Sequence, residues 1–177
     1  ASTNDNELFA ELSNDLAGII ANSDPKACAD RLLSRVVSWQ SFFTQARDPF
    51  SPARAAGLFS ELTILTDSVL PHLGITAGIF SWHGPDPALQ DFQFPRFAIE
   101  VKSYRGTGPG VMRIGSEHQL EDIGVGNLFI AYLRLSQRAV GDGSTLGELI
   151  DDVRNQVTSV QPASDYFESQ LLRVGWH

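Results

Sequence analysis

Along residues 90–105 apolar and polar side chains alternate with a period of two. Phe97, Ile99 and Val101 are interleaved with Ala98, Glu100 and Lys102, the pattern of a half-buried strand, so Glu100 and Lys102 share the face opposite the larger apolar residues. Gln90 to Phe94 alternates in the same way, and Pro95-Arg96 between the two runs is a turn signal, because proline pre-sets the dihedral that the first turn position needs. A symmetric connection puts Phe94 opposite Phe97 and Asp91 opposite Glu100.

The period changes elsewhere. Helices are predicted from Asn6 to about Asn22, and from a Ser23-Asp24-Pro25 start signal to about Arg47. Asp48-Pro49-Phe50-Ser51-Pro52 breaks the second. A third helix, about Ala53 to Leu70, carries the stripe Leu58, Leu62, Leu65 and Val69 and ends near Pro71 and Gly74. Strands follow at about Gly78 to Trp82, Leu89 to Phe94, Phe97 to Arg105, Val111 to Ile114 and Leu128 to Leu135, with Gly106 to Gly110 as a turn. Ser116 opens a helix before the last of these. Thr145-Leu146-Gly147-Glu148 is a capping box for a helix to about Val157, and Ser164 opens a final helix that stops at Gly175. Helices on a mixed central sheet make an α/β fold with an N-terminal helical segment over 1–52 and a core over 53–177, one compact domain.

The hairpin carries the candidate chemistry. Directly opposed residues on antiparallel strands bring their Cβ atoms to roughly 5 Å, and two carboxylates at that distance repel unless a cation lies between them. A hard divalent ion such as Mg²⁺ takes one or two carboxylates from a protein and completes its octahedron with water and substrate oxygens. Asp91 and Glu100 supply that pair, and the Val101 carbonyl can add a backbone oxygen. Lys102, on the same face, can steady an attacking hydroxide or the charge that grows on a phosphate oxygen. The layout describes phosphodiester hydrolysis. Against it stands the plainer reading that alternating Glu and Lys decorate an exposed strand face.

Asp91 followed nine residues later by Glu100-Val101-Lys102 resembles the D…(D/E)xK signature of the PD-(D/E)xK, or restriction-endonuclease-like, superfamily. The wider set Gly57-Leu58-Phe59-Ser60-Glu61-Leu62, Trp82-His83-Gly84-Pro85, Asp91-Phe92, Ile99-Glu100-Val101-Lys102, His118-Gln119-Leu120 and Thr145-Leu146-Gly147-Glu148-Leu149 resembles an uncharacterised bacterial family assigned to that superfamily. The resemblance implies a restriction-endonuclease-like core, a Mg²⁺-dependent nuclease with Mn²⁺ as a substitute, DNA as substrate, and a restriction or phage-defence setting in the cytoplasm with further subunits as partners. It departs from the superfamily name at Gln90, which stands where the proline precedes the aspartate. It also implies a chain continuing beyond Gly175-Trp176-His177, which leaves a fragment, a processed chain and a trimmed chain as readings of this sequence.

The resemblance also directs attention to Glu61 and Gln119. Glu61 is the lone charge between Arg54 and Asp67, at the edge of the Leu58 stripe; periodicity alone allows a solvated helix-face glutamate, and the superfamily implies a carboxylate that joins the metal site. Gln119 closes a Ser116-Glu117-His118-Gln119 capping box, which explains it structurally, while some superfamily branches place there a glutamine that touches the site's water or substrate. His118 suits proton transfer but stands alone. His72 and His83 have no spacing that suggests zinc.

Composition changes the picture in two places. The single cysteine, Cys28, excludes an internal disulfide and fits a reducing compartment, and neither a signal peptide nor a run of about eighteen apolar residues is present. The net charge of −8 opposes a nucleic-acid role, since DNA affinity draws on Lys and Arg against phosphate. From Phe92 to Ser116, however, Arg96, Lys102, Arg105 and Arg113 face only Glu100 as an acid. A weakly basic site on an acidic body predicts poor autonomous DNA affinity and delivery of substrate by another subunit. Two alternatives stay open: a nuclease-like binding or scaffolding module in a defence complex without cleavage activity, and an ordinary α/β domain. Nothing in the sequence sets the oligomeric state.

Overall fold

Ser51-Pro52 opens the helix on which the site is built. In a computed structural model of the chain, which describes residues 3–45, 50–84, 90–105, 126–137 and 143–176, the Ser51 side chain accepts from the Arg54 N–H (3.2 Å) and Pro52 fills the first turn, where no N–H is needed. Helix α3 (Pro52–Ile64) runs through a π-helical turn, Leu65–Val69, into α4 (Leu70–Ser81). Pro71 therefore sits in a first turn and does not end the helical path. Gly74 bends it with φ 77° and ψ 170°, a region essentially reserved for glycine. The strand expected over Gly78 to Trp82 is accordingly replaced by the rest of α4, and only Trp82 bridges to Phe92 in strand fashion. By length and composition alone Pro52–Ser81 could cross a membrane; Leu58, Leu62 and Leu65 within it are fully buried, whereas Leu73 and Phe80 are exposed.

The sheet among the described residues has the order β1-β2-β3, with β1 (Phe92–Phe94) antiparallel to β2 (Phe97–Arg105) and β2 parallel to β3 (Leu128–Leu135). It is mixed, and the fold is α/β. The hairpin register pairs Phe92 with Ile99 and Phe94 with Phe97, whose rings stack at 4.4 Å. β1 is shorter than the expected Leu89 to Phe94, since Gln90 and Asp91 precede it. The expected strand at Val111 to Ile114 and the Ser116 helix with His118 and Gln119 lie outside the described residues.

A half-buried strand is expected, and the sheet is covered on both faces: Val101, with Phe92 and Phe94 paired to Ile99 and Phe97, is buried on one. Ala98 and Glu100 are buried on the other, whereas Phe97 and Ile99 are only half-buried. Both faces of the strand are therefore packed, and Glu100, buried, is no surface decoration.

The remaining helices are α5 (Leu146–Val157), α6 (Gln161–Val174), α1 (Thr3–Asn22) and α2 (Pro25–Gln45). The Thr145–Glu148 capping box opens α5 as its residues predict. α6 begins three residues before Ser164, with Pro162 in its first turn, again where a missing N–H costs nothing.

The chain divides into two compact units, one of residues 1–48 with 171–177, the other of residues 49–170. The end of α6 thus groups with the N-terminal helices, where a core continuing to the C-terminus was expected. The first unit closes on Trp39, Phe42 and Leu172, with Leu8 and Leu12 against them; the Trp39 indole and the Arg35 guanidinium both meet Asp15 Oδ2, at 2.7 and 3.1 Å. The second buries Leu58, Leu62, Ile79, Trp82, Phe92, Ala98, Ile150, Val153 and Phe167, and it holds the candidate site.

Candidate functional site

Three elements of the second unit each deliver a carboxylate. β2 brings Glu100, only 4 % exposed, and two residues on Lys102, whose Nζ meets Glu100 Oε1 at 2.6 Å. Asp91 comes from the residue before β1; continuing the observed register by one pair sets it against Glu100. Its Oδ2 accepts from the Val101 N–H at 2.6 Å, and its carbonyl accepts from the His83 N–H at 2.8 Å. Helix α3 brings Glu61, whose Oε2 accepts from the Trp82 indole N–H at 2.9 Å.

Each carboxylate thus has one oxygen held by a protein donor: an indole, an amide or an ammonium. Backbone direction places the Val101 carbonyl near this group as well. Successive residues of a strand point their backbone groups to opposite edges, and Ala98 donates to Asn127 on the β3 side at 2.9 Å. Val101, in step with Phe97 and Ile99, therefore points toward the edge where Asp91 lies.

The electrostatics follow from crowding acids in a dry place. Burial, then the charges of Glu61 and Glu100, push the Asp91 carboxyl up to about 8, with the Val101 N–H and Lys102 opposing. Burial raises Glu61 too; the Trp82 indole pulls it back, Glu100 adds to the rise and Lys102 opposes it. These four side chains share one electrostatic field. Among the described residues one lysine shares this field with three carboxylates, which leaves an excess of negative charge.

That excess suits a hard divalent cation. Among the described residues no three His, Cys, Asp or Glu side chains are gathered to hold one ion. Mg²⁺ needs only one or two protein carboxylates, and Asp91 with Glu100, all oxygen donors, fits it. Glu61, expected as a further ligand, sits within their electrostatic reach with its own anchor.

The sequence reading gave no role to that anchor. Trp82 is fully buried, and a Cβ on Gly84 would overlap Glu61 Oε2 and stand 2.6 Å from Trp82 Nε1; glycine is required there by closeness. Tyr166 Oη and Gln170 Nε2 of α6 donate to the Trp82 carbonyl at 3.0 and 3.2 Å. No periodicity marks these positions, because they act through single bonds between distant segments. Gln119 lies outside the described residues.

The family model described as "Putative PD-(D/E)XK family member (DUF4420)" matches residues 1–177, the whole chain. The chain belongs to this family. In this PD-(D/E)XK family member the D…ExK pattern falls on Asp91, Glu100 and Lys102, with Gln90 in the proline's place. Neither the curated proteins nor the solved structures contain a match to it.

Proposed function

We propose that this PD-(D/E)XK family member is a Mg²⁺-dependent nuclease, with DNA as its substrate and a restriction-endonuclease-like core. The observation that carries the reading is that the buried Glu100 pairs with Lys102 on β2, while the hairpin register sets Asp91 against Glu100 and Glu61 lies within their electrostatic reach. Buried acids that repel one another cost stability, and a fold that keeps them is one in which a cation offsets the cost.

In this reading Asp91 and Glu100, with the Val101 carbonyl, hold the divalent ion, and Glu61 adds negative charge beside them. When bound, the ion supplies Lewis-acid stabilisation of the phosphoryl oxygens and a more acidic water. Lys102 is held by Glu100 on one side and is 22 % exposed, so its ammonium can orient the attacking water or meet charge on the phosphate. The amide of Val101 and the indole of Trp82 keep two of the acids oriented. Gln119 is assigned to the same site on the family's analogy.

With a net charge of −8, the chain is expected to bind DNA weakly by itself, and we assign its delivery to another subunit of a restriction or defence system in the cytoplasm. The test is cleavage of a labelled duplex at high protein concentration in Mg²⁺ or Mn²⁺. Activity lost in Lys102→Ala and in Glu100→Gln is expected; equal cleavage by wild type and both variants would mark a contaminant and overturn the reading.

A further inference from the structure

A tryptophan that is 0 % exposed must find an acceptor for its N–H. Any backbone carbonyl would serve; Trp82 instead meets a carboxylate, and one repelled by two others. A glutamate has three torsions, and repulsion from Asp91 and Glu100 would turn Glu61 away from them. The indole bond holds it, and Gly84 lets the chain pass close enough to keep that bond covered.

Trp82 is itself fixed from several sides. Its carbonyl accepts from Tyr166 and Gln170, which are bonded to each other at 2.8 Å, its ring packs on Phe167 at 5.6 Å, and its backbone bridges to Phe92. The next residue, His83, donates to the Asp91 carbonyl. The segment 82–84 therefore touches two of the three acids at once.

We propose that Trp82 is a positioning residue of this site, holding Glu61 within reach of the Asp91 and Glu100 pair, with Tyr166 and Gln170 holding Trp82 in turn. The proposal rests on the divalent-metal reading above. A donor that orients an acidic group around a metal site typically changes metal affinity by tenfold or more when it is removed.

The test follows the indole N–H resonance of Trp82 in the ¹⁵N-labelled whole chain as Mg²⁺ and then Mn²⁺ are added. Mn²⁺ affinity is measured alongside by calorimetry for wild type, Trp82→Phe, Gly84→Ala, Glu61→Gln and the Trp82→Phe/Glu61→Gln double variant. The Trp82 resonance is expected to shift with Mg²⁺ and broaden with Mn²⁺. Trp82→Phe and Gly84→Ala should each weaken Mn²⁺ about tenfold, and Trp82→Phe should add nothing once Glu61 is Gln. Gly84→Ala disturbs the same bond without emptying the core, so it carries the test if Trp82→Phe does not fold. An unmoved indole during binding, unchanged affinity in Gly84→Ala, or a Trp82→Phe cost that persists beside Glu61→Gln would overturn the proposal and leave the metal reading standing. Absence of divalent-ion binding by wild type would overturn both.

Discussion

The Asp91 carboxylate accepts the Val101 N–H at 2.6 Å, tying the residue before β1 to the strand that carries Glu100 and Lys102. This bond acts as an extra rung of the hairpin. It holds an acid beside another acid, a placement that the ladder alone does not secure.

Replacing the repelled acid should therefore separate stability from function. Asp91→Asn keeps an oxygen that can accept from Val101 and removes the charge. Metal-free melting at pH 8 is expected to rise for Asp91→Asn, while the stabilisation that wild type gains from Mg²⁺ disappears. Thermal denaturation with and without Mg²⁺ checks both.

The pH dependence has a definite sign. Asp91 titrates near 8 in the folded chain, against an ordinary value of 3.8, so between those values the folded state keeps a proton that the unfolded state has lost. The stability contributed by this raised group is full below about pH 4 and is lost as pH rises through 8, with a slope of at most about 1.4 kcal/mol per pH unit for one proton. Urea denaturation of the metal-free chain from pH 5 to 8 should show falling stability. A flatter profile is expected for Asp91→Asn, and a divalent ion should remove much of the fall.

Lys102 is the cation paired with the buried Glu100. Its removal leaves that acid without its ammonium, at a cost of up to about 3 kcal/mol. Lys102→Ala is expected to melt lower without metal and to recover much of the difference in Mg²⁺, yet to lose cleavage. Recovery without activity would separate its chemical role from its pairing role.

The bend at Gly74 supports the site from a distance, because α4 delivers Trp82. With φ 77° and ψ 170° there, Gly74→Ala should cost about 1–3 kcal/mol in stability, measured by denaturant titration. Metal affinity of the folded fraction should be unchanged.

Most of this site's β portion was legible from the sequence, because a two-residue turn and a period of two leave little freedom: once Phe94 meets Phe97, the neighbours of Glu100 follow. That both faces are buried was not legible. Alternation reads as one covered face, but Glu100 and Ala98 are buried as well as Val101, Phe92 and Phe94, and only tertiary packing decides that. The strand expected at Gly78 to Trp82 failed for a related reason, since Pro71 and Gly74 read as a stop and instead act as a first turn and a bend within one helical path. Trp82 and Gly84 were visible as residues and silent as partners of Glu61, because their bond spans 21 positions of chain.

Calorimetric titration of the wild-type chain, Asp91→Asn and Glu100→Gln with Mn²⁺ at pH 7.5 tests the central claim most directly. The account predicts one bound ion per chain for wild type, with proton release, and loss of that binding in both variants. Wild-type binding that survives in either variant, or no binding at all, would contradict it.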